Sequence, residues 1–118
     1  MHHPTSGKRS SEMDSCIEAC RDCASTCTET VRYCLDMGGE HADARHVALL
    51  LDCAQICQTS ADFMLRGSDL NSRICAACAE VSERCAESCE RFGDDEMMRA
   101  GAEACRRCAE SCRQMSAA

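Results

Sequence analysis

One segment decides the fold: residues 16–27 are CIEACRDCASTC, with cysteines at positions 16, 20, 23 and 27. Separations of four, three and four residues follow the 3.6-residue turn of an α-helix, so the thiols share one helix face. Cys34 lies seven residues further on and extends the same stripe. The segment therefore predicts a long helix whose inward face consists of cysteine.

The other cysteines repeat this spacing in three later segments. They are Cys53 and Cys57 in the second segment, Cys75, Cys78, Cys85 and Cys89 in the third, and Cys105, Cys108 and Cys112 in the fourth. Glycines at positions 38–39, 67 and 93 separate the segments and are typical helix stops. We predict helices from residue 10, 11 or 14 to about 37, from about 40 to 66, from a Ser68 cap to about 92, and from the turn at 93–95 to about 115.

Loops of two to four residues make successive helices antiparallel neighbours. No segment alternates with period two and β-branched residues are sparse, so strands are not expected. The predicted fold is all-α, an antiparallel up-down-up-down four-helix bundle with a Cys-lined core. Residues 1–10 form a predicted flexible leader, and residues 11–118 form a single domain.

Composition limits the functional classes. Fourteen of the 118 residues are cysteine, as many as Leu, Ile, Val and Phe together, so thiols must fill much of the core. The net charge of -7 disfavours nucleic-acid binding. The sequence contains no run of 18 apolar residues that could span a membrane, and no secretory signal is visible. We therefore expect a cytoplasmic protein with reduced thiols. A disulfide framework is the alternative for an exported chain.

An internal repeat supports the thiol-lined bundle. CAESC at residues 85–89 recurs at residues 108–112, an offset of 23. The same offset pairs Ser82 with Cys105 and Cys78 with Gly101, so each pair contains one thiol and one residue without a thiol. Gly101 costs roughly 1 kcal/mol relative to Ala in a helix. It is interpreted either as widening the channel or as a tolerated small residue.

The charge of the buried thiolates indicates which metal they hold. A divalent ion on four thiolates leaves two negative charges uncancelled, whereas one Cu(I) for each thiolate gives a neutral interior. Cu(I) is soft and prefers sulfur, and residues four apart on a helix converge on one ion. The pairs with this spacing are Cys16/Cys20, Cys23/Cys27, Cys53/Cys57, Cys85/Cys89 and Cys108/Cys112. We predict multiple Cu(I) ions per chain, with all fourteen cysteines as metal ligands.

Several alternatives stay open at this point. Iron–sulfur binding would make the chain a ferredoxin-like electron carrier, although the clustered ferredoxin motif is missing and no Pro follows a Cys. Zinc binding would make it a zinc or thiol-based sensor. Cysteine could also serve only as core packing. No Ser/His/Asp or Cys/His catalytic set is visible, so the chain is not expected to be an enzyme.

The stacked C-x-x-x-C pairs, the repeated CAESC and the four thiol stripes resemble the bacterial copper storage proteins, in particular their cytosolic branch. The resemblance covers residues 12–115. It implies a bundle that stores many Cu(I) ions through cysteine thiolates, often as a homotetramer. Ser82 and Gly101 depart from a fully populated ladder of thiols, which leaves the number of ions undefined.

Other side chains extend these predictions. His46 falls on the inward stripe of the second helix, as a ligand or as a hydrogen-bonded core residue. Methionines and His41 gather at the bundle ends, either as packing or as soft ligands: Met37, His41, Met97 and Met98 at one end, and Met13, Met64 and Met115 at the other. A second apolar stripe on this helix predicts self-association; its members are Val47, Leu51, Ala54, Ala61 and Leu65.

Overall fold

The computed structural model describes residues 9–117 and contains four long α-helices. They are α1 (Ser11–Met37), α2 (Ala44–Leu65), α3 (Asn71–Glu90) and α4 (Glu96–Ala117). α1 packs against α2 and α4, and α3 packs against the same two helices, which closes the bundle. The predicted all-α four-helix bundle is confirmed. Residues 1–8 of the predicted leader lie outside the described residues.

The helix ends follow local hydrogen bonding. The Ser10 hydroxyl accepts from the Met13 N–H at 3.0 Å and starts α1, and Gly38, at φ +71°, ends it. α2 begins later than predicted, because residues 39–42 form a 3₁₀ turn and Asp43 caps the helix by accepting from the Arg45 N–H. These contacts fix where each cysteine stripe starts along the bundle axis.

Ser68 does not cap α3, in contrast to the prediction. Its hydroxyl accepts from the Leu70 N–H at 3.0 Å, which closes a turn before the helix begins at Asn71. Asp95, at the end of the predicted turn at residues 93–95, caps α4, because its Oδ1 accepts from the Met98 N–H at 3.2 Å. Ser68 therefore stabilises the loop between α2 and α3 and does not extend α3.

Cysteine fills the interior. All fourteen cysteines are free, and none is more than 1% exposed. Leu50, Met64 and Met98 are the largest fully buried side chains beside them. The alternative of a disulfide framework is therefore not what the structure shows, and the Cys-lined core is confirmed.

The second apolar stripe on α2 is only partly exposed. Leu51 and Leu65 are exposed by 53% and 43%, but Ala61 is fully buried, so its assignment to the outer stripe was wrong. Ala61 turns inward beside Ser60, which is also fully buried.

Among the described residues, none of the helices is long and apolar enough to cross a membrane.

Candidate metal centre

Thiols from facing helices meet along the bundle axis and form a column of sulfur atoms. The Cys112 Sγ of α4 lies 3.7 Å from the Cys16 Sγ and 3.5 Å from the Cys20 Sγ of α1. Cys108, one turn earlier on α4, lies 3.6 Å from Cys20. The stripes of α1 and α4 therefore interleave, because antiparallel helices present successive thiols at matching heights.

The next layer brings three helices together. The Cys105 Sγ of α4 lies 3.8 Å from Cys23 and 3.7 Å from Cys27 of α1. Cys53 of α2 lies 3.6 Å from Cys23 and 3.9 Å from Cys105. The four sulfur atoms are close enough for a small cation to touch several of them at once.

Cys57 links the two layers across the bundle. Its Sγ lies 3.5 Å from Cys108 of α4 and 3.7 Å from Cys78 of α3. The Cys78 Sγ in turn lies 3.8 Å from Cys108. All four helices therefore contribute sulfur to one connected column.

Several groups of thiols could each hold a metal ion, with sulfur atoms within 4.8 Å of one another. Cys23, Cys108 and Cys112 each belong to two of the groups. A sulfur atom shared by two groups can bridge two monovalent ions, so the column favours a polynuclear centre over separate sites. The groups are Cys20/Cys78/Cys108/Cys112, Cys23/Cys27/Cys53/Cys105, Cys16/Cys75/Cys112 and Cys23/Cys57/Cys108.

Three of the five predicted pairs four residues apart bring their sulfur atoms into contact. The sulfur atoms are 3.9 Å apart in Cys23/Cys27 and in Cys53/Cys57, and 4.0 Å apart in Cys108/Cys112. In each pair, at least one sulfur atom also contacts a thiol of another helix. The pairs are therefore rungs of a larger ladder.

The remaining predicted ligands lie along the same axis. Cys85 is fully buried, and Cys75 lies 3.5 Å from the Ser60 hydroxyl. Cys89 is buried and lies 3.5 Å from the position that a Cβ at residue 101 would occupy. Gly101 therefore leaves space beside a thiol.

Ser82 occupies a ladder position without a thiol. Its hydroxyl oxygen lies 3.6 Å from the Cys53 Sγ, 3.7 Å from Cys57 and 3.9 Å from Cys78. The internal repeat equates Ser82 with Cys105, which lies in a four-thiol group. Ser82 thus puts a hard oxygen where the repeat would put a soft sulfur.

Hydrogen bonds between neighbouring thiols set their acidity. A hydrogen bond from Cys105 lowers the pKa of Cys53, and one from Cys112 lowers the pKa of Cys108. The pKa of Cys112 is raised, chiefly by its hydrogen bond to Cys108. The acidity of each thiol therefore depends on its neighbours, and filling the column with metal must displace the thiol protons, because the thiolate is the form that binds.

Cys34 lies apart from the column, near the end of α1. Its Sγ is 3.4 Å from the His46 Nε2 and 3.7 Å from the Met98 Sδ, and all three side chains are at most 1% exposed. Burial raises the pKa of Cys34. The sequence placed His46 on the inward stripe and Met98 at this end, but spacing alone could not show that they meet Cys34.

A thiol-lined, closed four-helix bundle whose sulfur atoms are shared between neighbouring groups defines a class of metal-thiolate storage bundles. The sequence profile of the copper storage protein family matches residues 9–117. The chain belongs to this family. The iron–sulfur and zinc alternatives are accordingly not favoured.

Solved structures of similar proteins agree. Protein Nmul_A1745 of Nitrosospira multiformis is 43% identical, with a TM-score of 0.84 over 90% of this chain and 95% of that chain. The Cu(I)-bound copper storage protein BsCsp3, from Bacillus subtilis, is 35% identical, with a TM-score of 0.83 over 89% and 98%.

A third structure comes from Streptomyces lividans. Its copper storage protein Ccsp, loaded with 10 copper equivalents, is 30% identical, with a TM-score of 0.78 over 90% of this chain and 84% of that chain. It is described as a cytosolic copper storage protein.

Proposed function

We propose that this copper storage protein holds its multiple Cu(I) ions on the thiolates of all fourteen cysteines. The shared sulfur atoms carry this proposal, because Cys23, Cys108 and Cys112 each join two groups of potential ligands. Bridging lets one sulfur serve two ions, and burial excludes water from the loaded core. The bundle therefore acts as a reservoir that holds its copper ions in the buried core.

Charge supports the choice of ion. The column is lined almost entirely by thiols, and the described arginine side chains lie outside the buried core. Buried thiolates without compensating charge are very costly, so each must be balanced by a bound cation. One Cu(I) for each thiolate balances the charge, whereas divalent ions on four thiolates leave an anionic interior.

Proposals for the domain organisation, location and assembly of the chain follow from this role. We propose that residues 11–118 form one storage domain and that the chain is a store without enzymatic activity. The similarity to the cytosolic Streptomyces lividans protein supports a cytoplasmic location, where thiols stay reduced. The exposed Leu51 and Leu65 on α2 support self-association, as a homotetramer.

The test is anaerobic titration of the reduced chain with Cu(I) against a chromophoric competitor, with metal quantified per chain. We expect saturation at about ten or more equivalents, because each thiolate balances one ion. Saturation at one or two equivalents would contradict storage. A brown iron-containing product, or zinc that resists displacement by Cu(I), would point to the electron carrier or the sensor.

Paired cysteine variants locate the sites. Cys108→Ser removes a sulfur that belongs to two ligand groups, whereas Cys89→Ser makes the same chemical change outside all four groups. We expect each variant to lose about one equivalent with its thiolate, and Cys108→Ser to weaken the binding of the remaining ions more than Cys89→Ser does. Equal Cu(I) affinities of the two variants would contradict a bridged column and would favour independent sites.

A further inference from the structure

Three soft ligands of different chemistry converge where α1 ends, and none of the four thiol groups includes them. They are the Cys34 thiol, the His46 imidazole and the Met98 thioether, from α1, α2 and α4. The Cys34 Sγ contacts both of the others, at 3.4 Å from the imidazole nitrogen and 3.7 Å from the thioether sulfur. The cluster is fully enclosed.

The imidazole is held in the orientation that a metal ligand needs. The His46 Nδ1 lies 2.7 Å from the Ser88 Oγ, and the Arg91 Nη2 lies 3.4 Å from the same oxygen. Arginine can only donate, so Ser88 accepts from it and keeps a second lone pair that can accept from Nδ1–H. In the tautomer with the proton on Nδ1, the Nε2 lone pair faces Cys34, which is the arrangement that metal binding at Nε2 requires. A second-shell hydrogen bond of this kind is a common feature of histidine ligands.

A layer without paired thiols separates this cluster from the column. Thr30 and Leu50 are fully buried one turn from Cys34 and His46, and Gly101 lies one turn from Met98. The Thr30 hydroxyl is occupied, because it donates to the Thr26 carbonyl at 2.7 Å. Cys89 is the thiol beside this layer, next to Gly101. An ion at the cluster would therefore have a ligand set of its own.

We infer that Cys34, His46 and Met98 form a separate mononuclear Cu(I) site, with one thiolate, one neutral imidazole and one thioether as ligands. The inference rests on the proposed Cu(I) function. One thiolate and one monovalent ion give a neutral buried unit, whereas a divalent ion would leave a positive charge in the core. Thioether and imidazole add no charge, and both suit Cu(I).

The two separations measured from Cys34 are close to those around a trigonal ion. With thiolate bound at about 2.3 Å and imidazole at about 2.0 Å, such an ion holds sulfur and nitrogen about 3.7 Å apart and two sulfur atoms about 4.0 Å apart. The observed separations from Cys34 are 3.4 Å to the imidazole nitrogen and 3.7 Å to the thioether sulfur. Each is therefore within a few tenths of an ångström of what a shared ion requires.

The test follows the His46 nitrogens by NMR during anaerobic Cu(I) titration of protein carrying ¹⁵N-histidine. We expect the His46 Nε2 resonance to shift when the site fills, while Nδ1 stays protonated by its bond to Ser88. His41, half-buried and 3.0 Å from Asp95, is the internal control and should shift less. An unmoved Nε2 resonance in a chain that takes up many equivalents would overturn this site and leave storage intact. A chain that takes up no copper would overturn both.

Variants separate binding from a structural role. In Cys34→Ser the Nε2 shift should disappear while the column still fills, and Met98→Leu, which keeps the volume, should weaken it. Ser88→Ala keeps all three ligands but frees the imidazole, and should lower the Cu(I) affinity of this site about 10–100-fold. An Nε2 shift that persists unchanged in Cys34→Ser would contradict the assignment. Unchanged far-UV circular dichroism of each apo variant verifies folding.

Discussion

The phenolic hydroxyl of Tyr33, in the last turns of α1, donates a 2.7 Å hydrogen bond to Oδ2 of Asp95, the residue before α4. The His41 Nε2 lies 3.0 Å from the same oxygen. The other oxygen of Asp95 accepts from the Met98 N–H. One carboxylate therefore ties the end of α1 and the following turn to the start of α4, beside Cys34 and Met98.

The first prediction concerns this tie. The hydrogen bond from Tyr33 is the main cause that lowers the pKa of Asp95 below its ordinary 3.8. A carboxyl group with a lowered pKa stabilises the fold above 3.8 and loses that contribution as the pH falls through its folded-state pKa. We expect Tyr33→Phe to lower the melting temperature of the apo protein at neutral pH. The difference from the parent chain should shrink in acid, as Asp95 becomes protonated. A difference that does not change with pH would contradict a charge-assisted bond.

The second prediction concerns Ser82, whose hydroxyl lies 3.6–3.9 Å from three thiols. Ser82→Cys supplies sulfur at a position where Cys53, Cys57 and Cys78 already converge. We expect the saturation point in anaerobic Cu(I) titration to rise by about one equivalent. Ser82→Ala is the matched control and should leave saturation unchanged. No gain in the cysteine variant would mean that Ser82 does not occupy a ladder position.

The third prediction concerns Gly101. A Cβ there would meet the Cys89 Sγ at 3.5 Å and the Thr30 Oγ1 at 3.7 Å, which are ordinary contacts. Gly101→Ala should therefore stabilise the apo protein by about 1 kcal/mol, the difference in helix propensity. Urea unfolding under anaerobic conditions measures it. Gly93→Ala is the contrasting control and should destabilise, because Gly93 has φ +58°. A destabilised Gly101→Ala variant would show that the space beside Cys89 is needed by the apo fold.

The fourth prediction concerns self-association through α2. Leu51 is 53% exposed on this helix, and Leu35 is 54% exposed on α1, so the two make a matched pair. We expect Leu51→Glu to reduce the proposed homotetramer to smaller species in sedimentation of the reduced apo protein, because a buried charge is costly at an interface. Leu35→Glu should leave the tetramer intact. A parent chain that sediments as a monomer would remove the proposal of self-association.

The sequence was informative wherever helix periodicity alone decides the outcome. Cysteines spaced three and four apart must share a face, so the stripes on α1 and α4 could be placed before any coordinates were known. Local hydrogen bonds were harder to anticipate. Ser68 has the chemistry of a helix cap, but its hydroxyl closes a turn instead. Asp43 caps α2 directly after a 3₁₀ turn, and no sequence pattern indicated that turn.

Contacts between helices depend on their relative heights, which spacing does not supply. Cys34, His46 and Met98 lie on three helices, and they meet only because the caps at Ser10, Asp43 and Asp95 set where each helix starts. Ser82 is similar. The repeat showed that it replaces a thiol, but its contacts with Cys53 and Cys57 follow from the packing of α3 against α2.

The buried thiols are at once the filling of the interior and the ligands for the cargo. A new cysteine at an apolar core position such as Leu50 adds a binding atom and removes hydrocarbon from the interior. At such positions, a gain in copper capacity is a loss in the stability of the apo bundle. The largest load that such a chain can carry is set by how little hydrocarbon it needs to fold before the first ion arrives.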